Sequence, residues 1–411
     1  MTKLKASALF YAMLIATLIG IISGSLILFA YLNNLLFLNF DINQKLLLNA
    51  ASGIEILKGR SMDIGEEPTK VQLFDQEEDE VELSIKPWGA FEIATSIATA
   101  NRAKEIKVAQ MGWVIKDNIA LYLTDNNRPL ALCGNTIIKG DCYLPKAGTK
   151  RAYIEGKSFV GQHLINGNTK KSNTKLPEIS PEFLSQIQYY LTKSNNQKVS
   201  EEFPDSALNS FSQPTQYLIS VDDIIIDQYY KGNVVIISEQ DIVIRQDAVL
   251  EDVLIYANNI IVERHFKGNV QLIAKDRIKI ESDVALQYPS VLALMAERIT
   301  TKNTIEIDQN TNISGIVFLN KSESLNKELR LRLEKNAMIE GIVYVKGEVE
   351  LKGKIHGTLY CDNFHLKTPS SIYQNHILDG VIDYSLLSDN FVGSVLNTGS
   401  NKHKSLVKWL F

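Results

Sequence analysis

Two groups of carboxylates are the first residues whose types and spacing suit chemistry: Asp222, Asp223 and Asp227, and Glu281 with Asp283. Carboxylates gathered on one exposed face of a parallel β-helix supply the acid and base of polysaccharide lyases and hydrolases. Both groups, however, fall at the ends of strand-like runs, where acidic residues also make turns. No catalytic residue is assigned. Cys133 and Cys142 enclose the short loop GNTIIKGD, and an oxidising compartment would let them pair as a disulfide. Two separate buried thiols are the alternative. Cys361 has no evident partner, the six His residues are scattered, and no Cys/His spacing resembles a zinc site, so neither metal nor cofactor is expected. Exposed aromatics, Tyr229, Tyr230 and Phe266, offer a third chemistry, stacking on a glycan or another surface; packing at strand corners competes with it.

The elements that would carry these residues are strands. YKGNVVIISEQDIVI from Tyr230 is restated as FKGNVQLIAKDRIKI from Phe266. Within that period, Ile242/Ile244, Ile260/Val262 and Ile278/Ile280 recur at even spacing, twice per repeat. Gly-led strands follow at Gly315-Ile-Val-Phe, Gly341-Ile-Val-Tyr and Gly357-Thr-Leu-Tyr. Short β-branched strands recurring without long crossovers predict a parallel β-solenoid over 217–366, with Val234, Ile236, Val253, Ile255, Val270 and Leu272 stacked inward. A sandwich of hairpins would offer similar strands but no reason for a repeat at a multiple of one coil. ESLNKELRLRLEKNA fits either a helical excursion or an outer arc, and Ile377–Val392 is the candidate cap.

Upstream, strand alternation begins at Val81, Leu83 and Ile85, and Phe91–Ala103 is read as strand rather than helix. Trp88 and Trp113 are expected to pack, and the acidic FDQEEDEVEL (Phe74–Leu83) to be solvated. SPEFLSQIQYYL (Ser180–Leu191) predicts one short helix, with Ser180 as N-cap, Pro181 in the first turn and Phe183, Leu184, Ile187 and Leu191 on its apolar face. Polar residues 193–212 read as a linker, and the basic tail ending in Trp409-Leu410-Phe411 as a docked or frayed end with a short apolar tip.

The whole body hangs from an apolar N-terminus. No Asp, Glu, Lys or Arg occurs from Ala6 to Phe40. Ala8–Leu32 exceeds the ~20 residues that span a hydrocarbon core of about 30 Å. A cleaved signal peptide would have a shorter apolar region and a small-residue cleavage site, which this run lacks. Lys3 and Lys5 favour a cytoplasmic N-terminus and an extracytoplasmic body. The apolar run continues into Asp41–Gly59, where Ile42, Leu46, Ala50, Ile54 and Leu57 keep helical spacing, so one helix is expected from about Ala6 to Lys58. A net charge of -4 with 22% charged residues gives no sign of nucleic-acid binding.

The fold class expected is therefore mainly β: a transmembrane helix extended into a long α-helix, a β-rich domain and a C-terminal parallel β-solenoid. Along the chain this gives a cytoplasmic N-terminus at 1–7, a transmembrane helix at 8–32, an amphipathic extension at 33–59 and a β-rich domain at 60–165. A loop, short helix and linker follow at 166–216, then the solenoid at 217–366 and a cap and tail at 367–411.

Two resemblances have residues behind them. KASALFYAMLIATLIGIISGSLILFAY (from Lys5) followed by QKLLLNAASGIEIL (ending at Leu57) is similar to the N-terminus of type IV pilin-like and type II secretion pseudopilin-like proteins, the minor tip-forming kind especially. It shares their basic start, apolar helix and amphipathic continuation. No Gly precedes Ser7/Ala8 and no Glu follows five residues in, so the prepilin-peptidase motif is not matched; tip-type members also lack that Glu. The glycine-punctuated GEVELKGKIHGTLYCDNF (Gly347–Phe364) resembles the bactofilin-type polymer-forming β-helix, a family without a long anchor helix and mostly cytosolic. The first resemblance implies a single-pass bacterial inner-membrane protein whose periplasmic body joins a pilus-like or secretion-like envelope assembly, with the bilayer and other proteins as partners. A glycan- or surface-binding solenoid is the alternative function, and a polysaccharide-active enzyme the third.

Overall fold

The computed structural model describes residues 7–59, 64–73, 80–100, 103–114, 118–194, 197–200, 203–297, 303–322, 329–393, 395–396 and 403–410. The fold is mainly β with one long helix at its N-terminus. That helix, α1, runs unbroken from Ser7 to Lys58. Its 52 residues contain no proline, and at 1.5 Å each it is about 78 Å long. Of its predicted apolar stripe, Leu46, Ala50, Ile54 and Leu57 are buried and Ile42 is partly so. Lys3, Lys5, residues 74–79 of the acidic stretch and Phe411 lie outside the described residues.

The C-terminal half of α1 packs on a five-stranded antiparallel sheet, in the order Thr69–Gln72, Glu80–Trp88, Phe91–Ala100, Ala103–Val114, His403–Leu410. Phe91–Ala100 is a strand, as its alternation predicts, and pairs along its length with Ala103–Val114. The pleat sends Leu83, Ala94, Ala98, Ala109 and Met111 toward α1. It sends Trp88, Phe91, Ile93 and Val108 to the opposite face. Of the two readings of the tail, docked or frayed, the docked one holds: it is the edge strand of this sheet, with Leu406 opposite Met111 and Leu410 opposite Val108. Lys404 reaches Glu92 at 2.7 Å, and Lys408 pairs with Asp252. The strand at His403–Leu410 thereby joins a sheet whose other strands all lie between Thr69 and Val114.

The repeat region forms a closed sheet of parallel strands. Ile224, Ile242, Ile260, Ile278, Ile305 and Leu331 stand in register across successive strands, so the even isoleucine spacing is the step from one strand to the next. All six inward positions expected from the sequence are essentially fully buried in one core. Leu329–Leu333, within the ambiguous ESLNKELRLRLEKNA, is a strand paired on both sides, not a helix.

Several segments outside 217–366 join this sheet. Ser206–Asn209, within the expected linker, pairs with Tyr229–Gly232, and Thr169–Lys171, within the expected loop, pairs with Cys142–Leu144. The expected β-rich domain at 60–165 is divided among four sheets: the antiparallel sheet, the closed sheet, a three-stranded sheet of His376–Leu378, Leu130–Cys133 and Thr149–Arg151, and the hairpin of Tyr153–Ile154 with Lys157–Ser158. Leu121–Leu123 pairs with Leu359–Cys361, far along the chain, and so extends the ladder beyond its last repeat strand. Ile377–Val392 is not a terminal cap: His376–Leu378 pairs with Ala131–Cys133, and Val381–Asp383 lies between Lys354–His356 and Ile137–Lys139. The final strands of the ladder are therefore contributed by chain that precedes the repeat.

The second helix, α2, spans Pro181–Ser194, running on past the predicted end at Leu191. The Ser180 hydroxyl accepts from the Phe183 amide at 3.4 Å, as an N-cap does. Phe183, Ile187 and Tyr190 are buried against the outside of the closed sheet, where Tyr256 donates to the Ile187 carbonyl at 3.0 Å.

Candidate functional site

Helix α1 is the segment whose geometry departs furthest from what a folded body needs. Within it lies a window of mean hydropathy 2.4, none of it buried, which makes it the one described helix long and apolar enough to cross a membrane. Large side chains stay exposed from Leu9 to Phe40, including Leu36 at 68% and Phe37 at 74%. The helix then meets the sheet with its small residues. Gly53 lies so close to the second and third strands that a Cβ there would stand 2.1 Å from Ser96 Oγ and 2.7 Å from Leu83 Cδ2. Ala50 and Ile54 are fully buried beside it. The exposed apolar segment and the part packed on the sheet thus belong to one continuous helix, with no linker between them.

A second contact fixes the antiparallel sheet to the closed sheet. Trp88 packs edge-on against Tyr190 and Phe211, with ring centroids 5.3 and 4.9 Å apart. Gln271, projecting from the closed sheet, donates to the Trp88 carbonyl at 3.0 Å and accepts from the Ala90 amide at 2.8 Å. These bonds close on the turn at Gly89, whose φ of +60° suits glycine. Further along the same outer face, Phe318, Tyr344, Tyr360, Tyr122 and Tyr143 form a row of neighbouring rings at 5.3–6.1 Å. The chain after Thr169–Lys171 covers it: Tyr344 donates to the Pro177 carbonyl at 3.0 Å, and Tyr122 accepts from the Asn173 amide at 3.1 Å. Burial pushes the Tyr344 phenol up, so it stays a donor.

The carboxylates singled out for catalysis do not converge. Asp223 accepts from the Asp241 amide at 3.0 Å, one strand further on. The Asp222 amide and carbonyl are held by Ser220 and Ser238, and the Asp227 amide donates to Gln228. Glu281 accepts from the Arg264 amide at 3.2 Å, and Asp283, at φ +62°, accepts from Asn310. All five sit at strand corners. Tyr230 and Phe266 are buried inside the closed sheet, so of the three aromatics proposed for surface contact only Tyr229 is exposed.

Cys133, Cys142 and Cys361 are buried free thiols, and the candidate disulfide is not formed. Cys133 donates to the Lys157 carbonyl and Cys142 faces the Gly140 carbonyl. Burial pushes the Cys142 thiol up to about 12 and the Cys361 thiol well above its usual value, which leaves both unreactive. Among the described residues no group of His, Cys, Asp and Glu is arranged to hold a metal ion.

Sequence reasoning missed the aromatic row, although its signal is present: each of the three Gly-led tetrapeptides ends in Phe or Tyr. Those glycines stand in register, Gly315 opposite Gly341 and Gly341 opposite Gly357, which brings the fourth residues into line. It also missed the ion pairs that link outward residues of neighbouring strands, among them Arg277–Glu306 at 2.5 Å, Arg330–Glu348 at 2.6 Å and Arg332–Glu350 at 3.1 Å. Comparison with protein-family models, with curated proteins and with solved structures finds no match to this chain.

Proposed function

We propose that this protein is a single-pass, membrane-anchored structural subunit of a pilus-like or secretion-like envelope assembly in the bacterial inner membrane. Its N-terminus faces the cytoplasm, as Lys3 and Lys5 favour, and its β-body lies in the periplasm. In this reading the closed parallel sheet is a solenoid, each turn contributing strands to ladders that run its length. Its role is to hold surfaces at fixed positions relative to the anchor.

One observation carries the reading. The bare apolar part of α1, Leu9 to Phe40, is about 48 Å long at 1.5 Å per residue. A hydrocarbon core of about 30 Å would cover all of it only at a tilt near ~50°, outside the ~0–40° that membrane helices adopt. A tether alone needs no such excess. Leu35, Leu36, Phe37, Leu38 and Phe40 lie on all sides of the helix just before it reaches the sheet, and a neighbouring apolar helix would remove them from water.

The test is site-specific photocrosslinking in native membranes with the probe at Leu36 or Phe37. Adducts to another membrane-anchored envelope protein support the reading. Recovery of the monomer alone from both positions refutes it.

A further inference from the structure

A cleft of about 360 Å³ opens at one corner of the closed sheet, between the Lys335–Asn336 turn, the Lys352–Lys354 turn, and the segments around Lys157 and Lys367. Five lysines line it in a chain whose net charge is -4. Two are already paired: Lys157 reaches Asp379 at 2.5 Å, and Lys352 reaches Glu334 and Glu350 at 3.1 and 3.0 Å. Among the described residues, Lys335, Lys354 and Lys367 form no ion pair within 4 Å, though Lys335 lies within electrostatic range of Asp379, which Lys157 already holds. The acidic group left on the rim, Glu155, is turned to the Ser370 hydroxyl at 2.5 Å. The rest of the lining is the Asp379 carboxylate, bonded to Lys157, with Asn336, Gly353 and Thr368 and one apolar wall formed by Leu366, Leu378 and Pro369.

We propose that this cleft binds an anionic saccharide, with the ammonium groups of Lys335, Lys354 and Lys367 on its phosphate or carboxylate and the apolar wall against a sugar ring. Lysines act as point charges toward oxyanions, which suits phosphate and carboxylate alike. The volume falls in the range of small-ligand sites, about 300–1,000 Å³, and exceeds what a bare ion occupies. The walls are turns between paired strands, so the backbone from which the lysines project is fixed before the ligand arrives. Bare phosphate would use the lysines and leave the apolar wall wet, which is why the saccharide is favoured. This inference does not depend on the assembly reading.

The test is titration of the full-length, detergent-solubilised protein with trigalacturonate, glucose 1-phosphate, neutral glucose and inorganic phosphate. The variants are the triple substitution K335Q/K354Q/K367Q and, with the same loss of charge on exposed lysines elsewhere, K86Q/K104Q/K198Q. At least one anionic sugar is expected to bind at least tenfold more tightly than glucose or inorganic phosphate. That affinity should fall at least tenfold in the first triple variant, stay within twofold in the second, and weaken with salt. Equal binding of inorganic phosphate, equal loss in both variants, or no binding of either anionic sugar would overturn the proposal. A melting temperature unchanged in both variants shows that lost binding is not lost folding.

Discussion

Replacing Gly53 with alanine measures how firmly α1 is seated on the antiparallel sheet. In a helix surrounded by open space, Gly→Ala stabilises by about 0.8–1.0 kcal/mol through lost backbone freedom in the unfolded chain. Gly53 has no open space: the new Cβ would stand 2.1 Å from Ser96 Oγ, 2.7 Å from Leu83 Cδ2 and 3.0 Å from Ser96 Cβ. Overpacking of a closed interface costs about 1–3 kcal/mol. Set against the gain in helix propensity, this leaves a net loss of about 1 kcal/mol, so the substitution changes sign relative to an exposed site. Gly24, where a Cβ would meet no atom within 4 Å, is the matched control and should lose nothing. Ser96 is fully buried, and among the described residues its hydroxyl has no hydrogen-bond partner. Ser96→Gly in the Gly53→Ala background should therefore recover part of the loss, a coupling that a double-mutant cycle reads directly. The assay is amide hydrogen exchange of Leu46–Leu57 in detergent. Protection there should drop in Gly53→Ala while the amides of Ile236 and Ile255, deep in the closed sheet, keep theirs. If Gly53→Ala instead raises protection by the ~1 kcal/mol of an open helix position, the packing described for α1 is wrong.

Other consequences follow from the same contacts. Trp88→Ala should cost about 3–5 kcal/mol in denaturant unfolding, because the ring is buried between Tyr190 and Phe211; a loss under about 1 kcal/mol would contradict this. Gly341→Val should prevent correct closure of the sheet, since a Cβ would stand 1.9 Å from the Gly315 carbonyl oxygen at a φ of +144°; limited proteolysis reads the outcome, and wild-type resistance would refute it. Burial works to raise the Glu350 carboxyl, but the Lys352 ammonium and Arg332 guanidinium outweigh it and hold it below its usual value of 4.5. Its contribution is then present above about pH 4.5 and lost as pH falls through the lower folded value, so Glu350→Gln should flatten the acid limb of the stability profile. Alkylation of unreduced protein should label all three cysteines once it is unfolded, whereas a Cys133–Cys142 disulfide would leave one.

How much was legible in the sequence depended on whether a signal was local. The buried stripe of α1 was readable because neighbours on a helix face lie three or four residues apart, and Ile42, Leu46, Ala50, Ile54 and Leu57 mark it. The Ser180 cap was readable for the same reason. The register of the parallel strands was readable where the step is even, from Ile242 to Ile260 to Ile278. The step lengthens from Ile278 to Ile305, and beyond it the Gly-led strands at Gly315, Gly341 and Gly357 are what still mark the register in the sequence. Asp at a corner and Asp in a catalytic cluster are alike in sequence, so their place at strand ends only favours the turn reading, and the hydrogen bonds of Asp223 and Glu281 then supply its geometry.

The sequence by itself determined the apolar N-terminal run, the helix that prolongs it and the strands with their inward faces. Each follows from periodicity and from the cost of leaving apolar side chains in water, which act residue by residue. Only the tertiary structure decided which strand follows which. Leu121–Leu123 continues a ladder whose previous member is Leu359–Cys361, and the tail at His403–Leu410 completes a sheet begun at Thr69. Strand pairing is made by backbone groups common to every residue, so partners far apart in the chain leave no mark in its composition. They are selected by which unpaired edge the folding chain leaves open, and that is a property of the whole molecule.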